Sequence, residues 1–136
     1  MNTYALELIG VIQSTIENVH DAPRFYTEGA PNAHLVLSPN YVAGMDQMKV
    51  GDEIVVITWL HVARRDVLTV HPRGDRSQPL KGVFCTRSPD RPNPLGLHRC
   101  SILAVHACSL HIGPIEAIDG TPVVDIKPVV AGSIDY

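Results

Sequence analysis

Eleven prolines and ten glycines interrupt a chain of 136 residues, and this punctuation restricts its fold more than any other feature. Each proline removes a backbone donor and fixes φ, so it breaks helices and is excluded from the middle of sheets. Between these breaks the apolar runs are short and rich in β-branched residues. The most apolar, DEIVVITWLHV at 52–62, is too β-branched for a helix and reads as a central strand. The composition is 45% hydrophobic and 18% charged, that of a folded domain rather than a disordered chain. The length predicts one domain spanning 1–136.

Further strands are expected at YALELIGVIQ (4–13), AHLVLSP (33–39), GVFCT (82–86), RCSILAVHACSLHI (99–112, bending near 107–109), PIEAI (114–118) and PVVDIKPVV (122–130). Residues 17–32 and 64–81 read as polar loops, and Asp119-Gly120-Thr121-Pro122 as a tight turn. YVAGMDQM is compatible with one or two helical turns that place Val42, Met45 and Met48 on one side. Short strands at close spacing with turns between them predict an all-β chain with little helix, folded as a barrel or strongly bent sheet.

The net charge is −3, so the chain as a whole lacks the basic footprint of a nucleic-acid binder. Yet Arg64, Arg65, Arg73, Arg76, Lys81, Arg87, Arg91 and Arg99, eight of eleven basic residues, fall within 64–99, where only Asp66, Asp75 and Asp90 oppose them. That stretch is either a local phosphate-binding surface or a solvated face. Cys85, Cys100 and Cys108 are odd in number and have no CxxC spacing. With an N-terminus unlike a signal peptide, they point to reduced thiols in a cytoplasmic protein. No apolar run is long enough to predict a membrane span.

The densest chemical signal is GVFCTRSPDRPNPLGL at 82–97. Its three prolines at 89, 92 and 94 stiffen the chain, and Arg87 and Arg91 sit four apart, as in a rigid pocket wall or a stiff surface loop. A second signal is DGTPVVDIKPVV at 119–130, where Asp125 and Lys127 share one strand face and can pair. A third is Trp59-Leu60-His61 at the end of the central strand. His106, Cys108 and His111 supply only three candidate metal ligands, and a strand there would point the two histidines to opposite faces, so no metal site is expected. GxGxxG, P-loop, GxSxG and HExxH motifs are all missing, so a Rossmann nucleotide site is not supported and the common hydrolase signatures are not present.

GVFCTRSPDRPNPLGL and DGTPVVDIKPVV resemble the two signatures of the TsaA-like, or TrmO, family. Ile9 to Ser14 and Trp59-Leu60-His61 are similar to its opening strand and its aromatic-x-His segment. The resemblance runs, with gaps, over nearly the whole chain. It implies a single-sheeted small β-barrel, a non-Rossmann methyltransferase that binds S-adenosyl-L-methionine near a homodimer interface. The implied reaction methylates the exocyclic N(6) of threonylcarbamoyladenosine next to the anticodon of tRNA. Carried over by motif position, the cofactor residues are His61, Val62, Arg87, Leu97, Gly113, Pro114, Ile115 and Glu116, with Glu28 to Ala30 as further contributors. Asp119, Thr121, Asp125 and Lys127 form the second motif's part of the site.

Methyl transfer is an in-line displacement in which alignment matters most, and the amide-like nitrogen must lose a proton to a carboxylate or imidazole. Glu116, Asp119, Asp125 and His61 are the candidates, and the sequence does not choose between them. Arg64, Arg65, Arg73, Arg76 and Arg91 are the candidate RNA contacts. The chain departs from the family pattern at Cys85 in place of alanine, at Ser14-Thr15 in place of Ser-Pro and at Val129 in place of an aromatic residue. It also ends at Tyr136 without a C-terminal extension. Two alternatives remain open: a methyltransferase on a small molecule or other RNA, and a non-catalytic S-adenosylmethionine-binding module.

Overall fold

The computed structural model describes residues 1–23 and 28–132. Its strands are β1 (Gly10–Gln13), β2 (Ala33–Leu37), β3 (Glu53–Trp59), β4 (Thr69–Val70), β5 (Lys81–Gly82), β6 (Leu95–Val105), β7 (Ser109–Gly113) and β8 (Pro122–Pro128). Six of them close a barrel in the order β1-β2-β7-β6-β3-β8, and β8 pairs back onto β1; β4 and β5 form a separate two-stranded ribbon. Every barrel pairing is antiparallel.

Alternation along the strands decides which side chains fill the barrel. On β3, Ile54, Val56 and Thr58 face inward; on β6, Gly96, His98, Cys100 and Ile102 do the same. Ile12, Leu35, Leu110, Ile112 and Val123 complete the interior. A register shift between Ile57 and Thr58 lets β8 bend around β3, which a barrel this narrow requires.

Because neighbours are antiparallel, the connections 14–32, 60–94 and 114–121 emerge together at one end of the barrel. The last of these differs from the other two. β7 and β8 stand opposite each other in the ring of six, so 114–121 has to cross the barrel mouth. It does so as a plug, with Ile115 and Ala117 buried in the core. Its backbone is tied down at both ends of the crossing, by Ile115 N–H to the Pro31 carbonyl (2.9 Å) beside β2, and by Asp119 N–H to the Ile16 carbonyl (2.7 Å) and Gly120 N–H to the Ile12 carbonyl (2.8 Å) beside β1.

Several expectations from sequence are corrected. Residues 114–118 form no strand, because they run across the mouth with no strand to pair with. Segment 82–86 pairs only through Lys81–Gly82, and then turns as a 3-10 helix at Val83–Cys85. The first strand covers Gly10–Gln13 rather than starting at residue 4, and Tyr4, Leu6 and Leu8 before it are exposed. Residues 39–45 form a 3-10 helix, and Val42, Met45 and Met48 do pack together on the core.

The strand expected over 99–112 is a hairpin whose first arm begins at Leu95. That reversal puts His106 and His111 on the same side: the His34 ring stacks on His111 at 4.6 Å and lies 6.5 Å from His106. Among the described residues, no group of three or more His, Cys, Asp or Glu side chains is arranged to hold a metal ion.

Gly10 sits where β1 is paired on both sides, to Leu37 and to Val123. A Cβ there would run into the Val36 carbonyl and the Leu37 backbone, neither of which can rotate away. Gly10→Ala is therefore expected to lower stability by about 1–3 kcal/mol, read from the urea unfolding midpoint. Cys100 is buried, and burial together with the nearby Glu116 charge pushes its thiol up to about 12. Native protein at neutral pH should thus react with a thiol reagent at exposed Cys85 and Cys108, with Cys100 labelled only after unfolding.

Candidate functional site

The 60–94 connection carries the first long motif and folds back on itself. Val83 is buried under it as an anchor. The Arg91 guanidinium donates to the backbone carbonyls of Val83 (2.7 Å), Thr86 (3.1 Å) and Ser88 (3.0 Å), so one side chain cross-braces the turn that the prolines stiffen. Residues 60–65 lie against this brace. Leu60 N–H donates to Pro94 O (2.8 Å), Arg91 N–H to Arg64 O (3.0 Å) and Arg64 N–H to Asp90 Oδ1 (2.9 Å). Arg65 donates to Pro92 O (2.8 Å) and Asn93 Oδ1 (3.2 Å), with its guanidinium 5.0 Å over the Trp59 ring. The two segments make one rigid ledge at the barrel mouth, with His61, Val62 and Arg87 exposed on it. Arg87 makes no hydrogen bond or ion pair among the described residues.

The plug supplies the second half of the mouth. From it Glu116 reaches the wall of the barrel, where its Oε1 meets His98 Nδ1 at 2.5 Å. His98 Nε2 in turn lies 2.7 Å from Thr58 Oγ1. The His98 side chain is 5% exposed and that of Glu116 16%. In the tautomer with its proton on Nδ1, His98 donates to Glu116 Oε1 and accepts a hydrogen bond from the Thr58 hydroxyl at Nε2. Gly96 makes room for the group, since a Cβ there would strike Thr58 Oγ1 and His98 Nε2. The other carboxylate oxygen, Glu116 Oε2, is buried and has no hydrogen-bond partner among the described residues. A buried acceptor left unpaired costs about 1–3 kcal/mol, more when charged, so it marks a place where a donor is missing.

The remaining residues expected from sequence divide between structure and surface. Asp119 Oδ1 accepts from Ser14 N–H (3.0 Å), and buried Thr121 donates to Ile118 O (2.6 Å); both hold the turn that closes the plug against β1. Asp125 and Lys127 pair at 3.3 Å on the barrel's outer surface, as their spacing suggested. Gly113 and Ile115 are buried, Pro114 is exposed, and Leu97 faces outward from β6. Among the arginines, Arg64 pairs with Asp66 at 3.2 Å and Arg73 with Glu28 at 2.9 Å, which joins the 60–94 connection to the first loop. Arg76 is exposed. His61, Val62 and Arg87 are thus gathered on the ledge and Gly113 to Glu116 on the plug. Asp125 and Lys127 lie apart from both, around the barrel wall.

Thr58 and His98 were not among the residues that sequence reasoning singled out. A signal existed: both sit at inward positions of strands that are otherwise apolar, where an unpaired polar side chain is costly. Their pairing across β3 and β6 becomes visible only once the register is known.

Residues 11–135 match the family described as the tRNA-methyltransferase O N-terminal domain. A probable S-adenosyl-L-methionine-binding protein of Methanocaldococcus jannaschii is 38% identical over 132 residues, covering 91% of this chain and 90% of that one. An S-adenosyl-L-methionine-binding protein of Archaeoglobus fulgidus is 38% identical over 122 residues, covering 90% and 86%. In structure the chain resembles the crystal structure of TrmO from Pseudomonas aeruginosa, with a TM-score of 0.77 and 28% identity over 99% of this chain. It spans 61% of that longer protein. A match over nearly the whole chain, on the same small barrel, places it in that family: the chain belongs to the tRNA-methyltransferase O N-terminal domain family.

Proposed function

We propose that this chain binds S-adenosylmethionine at the loop end of its barrel and is a methyltransferase acting on tRNA, at the exocyclic N(6) of threonylcarbamoyladenosine, in the cytoplasm and as a homodimer. One observation carries the reading. The first signature motif and the plug that leads into the second open at the same end of the barrel, the one carrying a cation without a partner among the described residues, Arg87, and the other a buried acceptor with no donor, Glu116 Oε2. A zwitterionic nucleoside needs a donor for its carboxylate and acceptors for its hydroxyl or amino groups, so these residues fit such a ligand. Family membership and relatives described as S-adenosyl-L-methionine-binding proteins support the same choice.

When bound, the cofactor supplies an electrophilic methyl carbon on a sulfonium. The chain's own tasks are alignment and proton acceptance. The cross-braced ledge gives His61, Val62 and Arg87 a fixed frame. Of the four candidate proton acceptors, Asp119 is committed to the Ser14 amide, Asp125 to Lys127, and His61 is exposed. Glu116 combines shelter from solvent with an oxygen that has no partner among the described residues, but that oxygen is the acceptor offered to the cofactor, so none of the four is singled out as the base. The homodimer is supported by the apolar outer face of β6, where Leu95 and Leu97 are 43% and 41% exposed beside Ile57 and Trp59.

A second reading, a small-molecule substrate, is favoured by the state of the arginines. Arg64, Arg65, Arg73 and Arg91 all have partners within the chain. Arg76, Lys81 and Arg87 are then the cations most available to phosphate, fewer than the sequence suggested.

Calorimetry with S-adenosylmethionine or its demethylated product should show binding, and Arg87→Ala should weaken it by about 1.5–3 kcal/mol, the range for a hydrogen bond to a charged group. Absence of heat at millimolar ligand would remove the cofactor reading. For the substrate, tRNA affinity should fall with salt, and Arg76→Ser with Lys81→Ser should flatten the log–log slope by somewhat under one unit per lost phosphate contact. An unaltered slope, or no tRNA binding at low salt, would move the substrate to the small-molecule reading.

A further inference from the structure

The Thr58–His98–Glu116 group invites an ordinary explanation, a polar fastener between plug and wall. A fastener would be expected to satisfy both ends of the carboxylate. This one satisfies a single oxygen: His98 holds Oε1 at 2.5 Å, while Oε2 is buried with no partner among the described residues. The group is also made at a cost in packing. It places two polar side chains, Thr58 and His98, at inward positions of β3 and β6 that are otherwise apolar, and it requires glycine at 96. A leucine at 98 would fill the same interior with no polar group to satisfy. The arrangement fits better with a carboxylate that must be held in one orientation so that its second oxygen meets something arriving from outside.

We infer that His98, backed by Thr58, is a positioning residue: it fixes the Glu116 carboxylate so that Oε2 accepts a hydrogen bond from an N–H or O–H donor of the bound nucleoside ligand. The inference rests on the cofactor reading given above and adds two residues to the site, Thr58 and His98, that contact no ligand themselves. It also makes the segment Gly113–Glu116 depend on the barrel wall, because Glu116 is the plug's side-chain tie to β6. Thr58 has a defined part. By donating to Nε2 at 2.7 Å it leaves Nδ1 as the protonated nitrogen, so that the ring presents its proton to Glu116.

Four variants test this in the full chain, with the demethylated cofactor product, S-adenosylhomocysteine, as the titrant and thermal unfolding as the control. Glu116→Gln keeps an acceptor for His98 but puts an amide donor where Oε2 was, so affinity should drop about ten-fold or more while the protein stays folded. His98→Ala should lose a similar factor. His98→Asn, whose amide N–H sits where Nδ1–H does, should recover to within about three-fold of wild type. Thr58→Val should fall between the two histidine variants. A purely structural fastener would predict the reverse order of damage: melting temperature falls and affinity among folded variants is unmoved.

Proton NMR gives a readout independent of affinity. The His98 Nδ1 proton should appear downfield in free wild-type protein and shift when the titrant is added. Unchanged affinity in Glu116→Gln would overturn the inference, and would show that Oε2 meets only solvent or protein. If wild type binds no S-adenosylhomocysteine while the downfield proton is present, the cofactor reading fails and the short His98–Glu116 contact stands. If wild type binds but His98→Asn does not recover, the positioning role fails and the cofactor reading stands.

Discussion

A barrel of six strands is too narrow to hold a lumen and is filled by the side chains of its walls, but its open ends must still be closed off from water by the chain. At one end this requirement falls on the β7–β8 connection, because the strand order puts its two anchors on opposite sides of the ring. Ile115 and Ala117 fill the mouth, and three backbone hydrogen bonds tie the crossing segment to residues 12, 16 and 31. The candidate site follows from this. Glu116 lies between the two buried apolar residues of this stopper, and its carboxylate reaches the inward-facing His98 on the barrel wall.

The ledge has a different origin. Its 35-residue span (60–94) joins adjacent strands and does not need to cross anything, so its length is free to carry structure of its own. The Arg91 and Arg65 side chains make it rigid from within by bonding to carbonyls, acceptors that a proline-rich loop leaves available because a proline has no N–H of its own to pair, and the Arg64 backbone N–H adds a bond to Asp90. A proline-rich loop carries an excess of acceptors, and arginine, which has five donors, matches that excess. This accounts for Arg65 and Arg91 without any nucleic acid in the argument.

Much of the fold could be read from the chain, and what could not has a common cause. The central strand, the packing of Val42, Met45 and Met48 and the Asp125–Lys127 pair depend on the pattern within one element, and the barrel class on the spacing of short strands and turns, both of which the sequence carries directly. The strand expected at 114–118 was apolar enough, but a strand exists only if a partner lies beside it, and a segment crossing the mouth has none. The same holds for GVFCT. His98 was legible as an inward polar residue only after its register with Thr58 was fixed, and register between strands 40 residues apart is not a local property. The roles of Arg64, Arg65 and Arg91 were hidden for the same reason: their partners are backbone carbonyls and side chains whose positions no spacing rule supplies.

The internal bracing of the ledge separates two properties that are often entangled in small proteins. Its cohesion comes from inward-turned guanidinium groups and one anchoring valine, whereas Phe84, Leu68 and Leu80 project from its outer surface with little hold on anything beneath them. Those outer positions can accumulate substitutions at small thermodynamic cost. The scaffold therefore has room for descendants that keep the barrel and the braced turn while exchanging one recognised surface for another, and divergence of substrate within such a lineage would leave the core sequence almost silent about it.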